Sequence, residues 1–331
     1  MMQVNFQQLF EQLSSIKVGV IGDVMLDTYM WGHVERISPE APVPVVSLDK
    51  KEYRIGGAAN VALNIRSLGA EVSMLSVTGD DDENVILKKM LEAEGIRTEF
   101  LLNSSQRITT SKTRIISRNQ QMMRLDNETT ADLGYEDENR LILAVQHFIA
   151  QEKPNVIILE DYNKGVLTEL LIKKTIALCK HHNIITAVDP KRKNFFSYKE
   201  ATIFKPNLKE VREALNIISD KTDTASLQQV HQQLHQQLQH QISFITLSEK
   251  GVFYQDGNAH QIIPSHIRNI ADVSGAGDTV IATAALIYAA TKNTELMAAV
   301  SNIAGGLVCE EVGTAAINKD RLLKECVHLL S

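Results

Sequence analysis

Apolar positions along this chain of 331 residues follow two periods, one helical and one of strands, in alternation. Phe6, Leu9, Phe10 and Leu13 share one face of a helical turn and predict a short amphipathic helix. The stretch from Ile16 to Ile21 is almost continuously apolar and stops at Gly22 and Asp23, which predicts a buried strand ending in a turn. Ala58, Val61, Ala62, Ile65 and Leu68 return to helical spacing, and Gly69 closes that helix. A strand over 72–77 follows, then a helix carrying Leu87, Met90 and Leu91 that Gly95 ends. Leu141, Ala144, Val145, Phe148 and Ile149 mark another amphipathic helix. Strands over 156–159, 184–188 and 202–205 then alternate with a helix over 167–182. This rhythm predicts an α/β fold with a mostly parallel sheet and helices on both faces. A strand over 244–247, a buried helix from Val280, and helices over 294–309 and 319–330 complete the series.

Two segments break the pattern. Between Thr28 and Arg54, prolines fall at 39, 42 and 44, and Val43, Val45 and Val46 stand close to Asp49, Lys50, Lys51 and Glu52. That composition predicts exposed or edge strand outside the main sheet. Residues 109–117 alternate polar and apolar, placing Lys112, Arg114 and Arg118 on one face, with Arg124 soon after. A solvated basic face is the usual outcome, but joined to the first excursion these charges would cover the mouth of a site. The expected organisation is one domain over 1–331 with lid segments at about 28–55 and 107–125. Along 227–241, Leu227, Val230, Leu234 and Leu238 keep helical spacing. His231 and His235, one turn apart, could ligate a metal, although a solvated helix face is the commoner reason for such residues.

Composition narrows the classes. Charged residues are 22% and the net charge is −6, so the bulk surface has no attraction for nucleic acid or anionic membrane. The longest apolar run, from Val280 to Ala290, is too short to span a bilayer. No basic region precedes an apolar core at the N-terminus, so no secretory signal is expected. Cys179, Cys309 and Cys326 are far apart and read as reduced thiols of a cytoplasmic protein.

Candidate chemistry concentrates at strand ends and small-residue turns. Asp272 to Asp278 includes Gly275, Ala276 and Gly277 just before the apolar helix. Amides at the start of a helix lack partners and carry the positive end of the macrodipole, so this turn can cradle an anion. Asp278 beside such a cradle suits a base that takes a hydroxyl proton while the amides stabilise a transferring phosphoryl group. An N-capped core helix explains the same residues, because a Gly-x-Gly turn alone is a weak signal. Gly56 and Gly57 would let a polyol approach the backbone, and Asn60 offers a donor and an acceptor to hydroxyls. Asp27 lies just past the first strand, where open α/β sheets place ligands. Asn207 and Glu210 share a helical face; Glu210 could hold Mg²⁺ through water, or the pair could be a cap. Charged clusters also follow the strands at Asp161 to Gly165 and Asp189 to Lys193. Neither a dinucleotide Gly-x-Gly-x-x-Gly nor a P-loop occurs.

Taken together, Gly56 to Asn60, Asn207-Leu208-Lys209-Glu210 and Asp272 to Asp278 make the chain resemble the ribokinase-like (pfkB) carbohydrate kinases over nearly its whole length. Within that family, Ile37 to Val46, Ser117-Arg118-Asn119-Gln120-Gln121, Gly22 to Asp27 and Asp189-Pro190-Lys191 look like the kinases of D-glycero-β-D-manno-heptose 7-phosphate. The resemblance implies a small β lid that pairs with its copy in a homodimer, ATP and Mg²⁺ as cofactors, and phosphorylation at O1 on the route to ADP-heptose. It implies Asp278 as base, the amides of Gly275, Ala276 and Gly277 as anion hole, and Asp27, Gly56, Gly57 and Asn60 around the sugar. Asn207, Leu208, Lys209 and Glu210 would face the nucleotide and Mg²⁺, with Ser248, Gly251 and Asn302 as further nucleotide contacts. A monovalent cation such as K⁺ near Asp272 and Ser274, and a separate nucleotidyltransferase partner, are also implied. Arg118, Arg124, Lys164 and Lys191 are the candidates for holding the sugar's own phosphate. A kinase of another sugar or sugar phosphate, and a non-catalytic sugar-phosphate sensor, stand as alternatives.

Overall fold

Strands apolar on both faces must be covered on both faces, and the computed structural model, which describes residues 4–118, 120–266 and 268–330, builds two helical layers around them. The chain begins with α1 (Phe6–Gln12), β1 (Lys17–Gly22), β2 (Val24–Ile37), β3 (Pro44–Gly57), α2 (Ala58–Ser67), β4 (Glu71–Gly79), α3 (Asp82–Ala93) and β5 (Arg97–Ser104). It continues through β6 (Ser111–Ser117), β7 (Gln120–Asn127), α4 (Tyr135–Glu152), β8 (Val156–Glu160), α5 (Glu169–His181), β9 (Ile185–Asp189) and β10 (Ile203–Phe204). The last third holds α6 (Leu208–Leu215), α7 (Thr224–Leu238), β11 (Ile242–Thr246), β12 (Val252–Asp256), β13 (Ala259–Ile263), α8 (Ala276–Thr291), α9 (Thr294–Val308) and α10 (Lys319–Leu330).

Among the described residues, the large sheet runs β13-β12-β11-β10-β9-β8-β1-β4-β5. It is parallel from β5 to β11, and β12 and β13 add an antiparallel edge. The period of two splits the core: Val18 and Val20 join the apolar layer of α2, α8 and α9, while Ile21 joins that of α4, α5 and α7. Burying Ile281, Leu286 and Ile287 of α8 contributes roughly 1.5–3 kcal/mol each, which anchors the helix whose first turn carries Asp278.

The interruptions in the pattern form a second sheet, ordered β3-β2-β6-β7. It leaves the main sheet directly after β1, and its strands β2 and β3 pair antiparallel along nearly their whole length. The strands β5, β7, β12 and β13 were not predicted: β7 is exposed throughout, and the apolar runs of β5, β12 and β13 are only two or three residues long. Arg118 is not on the face of Lys112 and Arg114: β6 ends at Ser117, and Arg118 takes a left-handed turn (φ 46°) beyond it. Asn119 lies outside the described residues. His231 also departs from expectation, being buried with Nδ1 2.9 Å from the Ser243 hydroxyl instead of on a solvated face. No group of three potential metal-ligating residues is formed among the described residues. Among the described residues, no helix is long and apolar enough to cross a membrane.

The β1–β8 seam tolerates no side chain at Gly22, where a Cβ would lie 1.9 Å from the Glu160 carbonyl oxygen. Gly22→Ala should push the two strands apart and cost roughly 1–3 kcal/mol. A lowered urea midpoint with unchanged slope is the expected result; an unshifted midpoint would refute the seam argument.

Candidate active site

Gly275 begins the site by adopting a left-handed backbone (φ 79°) as the N-cap of α8, with no side-chain cap. A Cβ there would lie 2.9 Å from Asn60 Nδ2, and one on Gly277 would lie 3.7 Å from Asp189 Oδ2 and 3.8 Å from Lys205 Nζ. The bare backbone therefore passes between α2 and the ends of β9 and β10. The Ala276 amide bends back to the Val273 carbonyl at 3.3 Å, so the anion-binding capacity rests chiefly on the following first-turn amides.

Asp278, in that first turn, is buried. Asn60 Nδ2 donates to its Oδ2 and Tyr162 Oη to its Oδ1, each at 2.7 Å. Burial pushes its carboxyl up to about 6; the two hydrogen bonds pull it back, Asp189 adds to the rise and Lys205 opposes it. Asn60 thus spends its donor on Asp278. Its own position is set by Asn64, whose Nδ2 donates to the Asn60 carbonyl at 2.9 Å while its Oδ1 accepts from the Thr279 hydroxyl and the Ile317 amide. Tyr162 is placed by Asp23, a buried carboxylate that accepts the amides of Tyr162, Lys164 and Val166 at 2.8–3.0 Å.

Beside Asp278 lies a charged floor. Lys205 Nζ is 2.7 Å from Asp189 Oδ2, and Lys191 Nζ is 2.7 Å from Glu210 Oε1 and 3.4 Å from Asp189 Oδ1. Lys191 also stands 5.7 Å over the Tyr162 ring. Burial alone would lower its pKa, but Asp189, Glu210 and Glu160 outweigh this and hold it above the usual lysine range. Glu160 is fully buried and neither carboxyl oxygen has a hydrogen-bond partner among the described residues. Burial, then Asp189 and Asp278, push its carboxyl well up. Asn207 and Glu210 form a complete capping box on α6, leaving Glu210 Oε1 toward Lys191. Asp189 and Glu210 are thus neutralised by Lys191 and Lys205, so these residues form no ready-made metal cage; the Glu210 carboxylate could meet a hydrated Mg²⁺ through water.

The other expected residues fall into two groups. Gly251 and Asn302 converge on the strand end after β13: a Gly251 Cβ would meet the Ile263 carbonyl at 2.0 Å, and Asn302 donates to the Pro264 carbonyl at 2.8 Å, while Ser248 takes a left-handed backbone (φ 55°) and accepts the Gly251 amide. Leu208 packs into the core beneath α6, whereas Lys209 points to solvent at 85% exposure beside Glu213. Asp27 is buried and accepts from Arg114, with Gly56 packed so closely that a Cβ would lie 2.4 Å from its Oδ2. Gly57 has a left-handed φ of 60°, and its Cβ would meet the Asp23 carbonyl at 2.4 Å.

The four candidate phosphate ligands separate. Lys164 reaches Glu128 at 2.7 Å. Arg124 is exposed and bidentate to Asp126. Lys191 joins Glu210 and Asp189 in the floor, apart from Asp27. Arg118 lies six residues beyond Lys112, about 20 Å along an extended strand, and so is remote from its own chain's site. Sequence reading missed Tyr162, Lys205, Asp189, Glu160 and Arg114 as site members; the polar clusters after the strands were visible, but not which member points inward.

With this geometry established, the comparisons with known proteins are specific. The sequence profile of the pfkB family carbohydrate kinases matches residues 15–321. The bifunctional protein HldE of Geobacter metallireducens is 38% identical over 318 residues, 95% of this chain and 64% of that protein. The bifunctional protein HldE of Campylobacter curvus is 36% identical over 303 residues, 92% of this chain and 63% of that protein. The chain therefore spans less than two thirds of these relatives. Among solved structures, phosphofructokinase-2 from Escherichia coli in complex with potassium matches with a TM-score of 0.79 at 17% identity, covering 96% of this chain and 99% of that one. Ribokinase of Arabidopsis thaliana complexed with ribose and ATP gives 0.71 at 15% identity, covering 93% and 98%. At such identities the likeness is one of fold, a mostly parallel sheet between helices with a small separate sheet.

The raised carboxyl of Asp278 has a consequence for stability. Between about pH 4 and pH 6 the folded chain keeps a proton on it that the unfolded chain has released, so this group's contribution falls as pH rises through that window. Asp278→Asn should remove that slope. Urea midpoints of wild type and variant, compared at both ends of the window, should diverge; parallel curves would show that Asp278 is not proton-linked.

Proposed function

The chain belongs to the pfkB family of carbohydrate kinases, and from that premise we propose that it transfers the γ-phosphoryl group of ATP to O1 of D-glycero-β-D-manno-heptose 7-phosphate. The observation that carries the reading is the buried Asp278 carboxylate, gripped by Asn60 and Tyr162 at the amino end of α8. Its pKa near 6 leaves it ionised at neutral pH yet basic enough to accept a proton. Asp278 takes the proton of the attacking hydroxyl as its oxygen bonds to the γ-phosphorus, while the bond from that phosphorus to the β,γ-bridging oxygen breaks and ADP leaves with the electron pair. The α8 amides and Lys205 face the charge that gathers on the transferring group, where preorganised donors are most effective. Asn207 and Glu210 would hold Mg²⁺ through water, and the ion when bound neutralises phosphate charge.

Specificity for a sugar phosphate is supported by the cations beside Asp27, namely Arg114, Lys112 and Lys164, and by the motifs shared with heptose 7-phosphate kinases. The small sheet would act as a lid. Its half-exposed Met123 and Leu125 support pairing of two copies through it. Asp272 is already engaged by Ser274 and the Gly313 amide, so a K⁺ ion near it would rest mainly on backbone carbonyls. Nucleotidyl transfer to the product would fall to a separate nucleotidyltransferase.

ATP consumption across heptose 7-phosphate, fructose 1- and 6-phosphates, ribose and adenosine, with the product phosphate located by NMR, tests the assignment. Preference for another sugar would overturn it. Asp278→Asn should lower turnover by about two to four orders of magnitude with nucleotide affinity little changed; near-normal turnover would remove Asp278 as base. Glu210→Gln should raise the Mg²⁺ concentration needed for half-maximal rate. An unchanged Mg²⁺ titration would leave Glu210 as a helix cap alone.

A further inference from the structure

We propose that Lys112 and Lys164 form the clamp for the substrate's distal phosphate and that Glu128 occupies this clamp as an internal surrogate until substrate displaces it. The inference rests on the sugar-phosphate reading above. Two ammonium groups from separate elements converge on one carboxylate: Lys112 Nζ lies 2.9 Å from Oε2 and Lys164 Nζ 2.7 Å from Oε1. Their side chains are 15%, 15% and 22% exposed, in the order Lys112, Lys164, Glu128. One ammonium on each oxygen is also how two lysines hold a phosphate.

The place is right for a distal group. Lys112 is in register beside Asp27 on β2, and the Lys164 amide is bound by Asp23 at 3.0 Å, so both lysines stand at the sugar end. Glu128 follows β7, on the connection to α4, and can swing outward without breaking a strand ladder. Charge favours the exchange. Locally, Lys112, Lys164 and Arg124 oppose Asp126 and Glu128, three positive charges against two negative. A phosphate dianion in place of Glu128 brings the negative sum to three and closes the balance. Without any occupant, Lys164 would lose its carboxylate and Lys112 would keep only Asp126, at 3.0 Å, leaving a partly buried ammonium unpaired, which is costly. Glu128 therefore keeps the empty clamp folded and competes with the ligand, so an unphosphorylated sugar has nothing with which to displace it.

Glu128→Gln keeps the shape and removes the competing charge. Calorimetric titration with inorganic phosphate should show binding tighter by roughly two- to tenfold, the weight of one or two partly buried ion pairs. KM for heptose 7-phosphate should fall by a similar factor while KM for the dephosphorylated heptose stays, and adding Lys112→Ala should abolish both gains. Glu128→Ala, checked for thermal unfolding, serves if the glutamine variant misfolds. Unchanged phosphate affinity in a folded variant, or equal KM changes for both sugars, overturns the proposal and leaves the trio as a structural tie. Tighter phosphate binding in a chain that turns over no sugar phosphate would instead sink the substrate reading while the anion clamp stands.

Discussion

A carboxylate buried at the amino end of a buried helix is the constraint on which the site depends. Burial drives Asp278 toward its neutral form, and directed donors are needed to keep the anion within reach near neutral pH. Asn60 comes from α2 and Tyr162 from the loop after β8, so segments roughly a hundred residues apart must meet within hydrogen-bond range. Each is fixed separately. Asn64 ties α2 to Thr279 and Ile317, Asp23 binds three amides of the Tyr162 loop, and α8 is packed in apolar contact on nearly all sides.

The floor beside it follows from the same burial. Asp189 could not stay ionised in the core without Lys205 and Lys191, and those ammoniums in turn require Asp189 and Glu210. Glu160 is the member left over. Neither of its oxygens has a partner among the described residues, and burial beside Asp189 and Asp278 favours its neutral form.

On the small sheet and the connections beside it the cations are already paired: Arg114 with Asp27, Lys112 with Asp126 and Glu128, Lys164 with Glu128. An anion bound there would exchange partners instead of creating new contacts, so the net gain per contact would be modest. The two clusters thus differ in kind. Beside Asp278 the carboxyls outnumber the ammoniums, and around Glu128 two lysines share one carboxylate.

The amino-acid sequence by itself determined the layered α/β fold, because helical and alternating periods are local and each strand's apolar positions announce burial on two faces. It also determined where chemistry collects, since Gly275 to Asp278 and Asn207 to Glu210 stand at helix starts whatever surrounds them. Strands such as β7, exposed throughout, gave no periodic signal and formed only through pairing with β6. Which charged side chains share a partner was decided by tertiary structure alone. Lys191 bridges Asp189, two residues away in the chain, to Glu210 and stands over the Tyr162 ring, Arg118 ran past the end of its strand, and Asn60 turned its donor to Asp278. Charge has no period along a chain, and its energy depends on distances that exist only after the strand ends have been brought together.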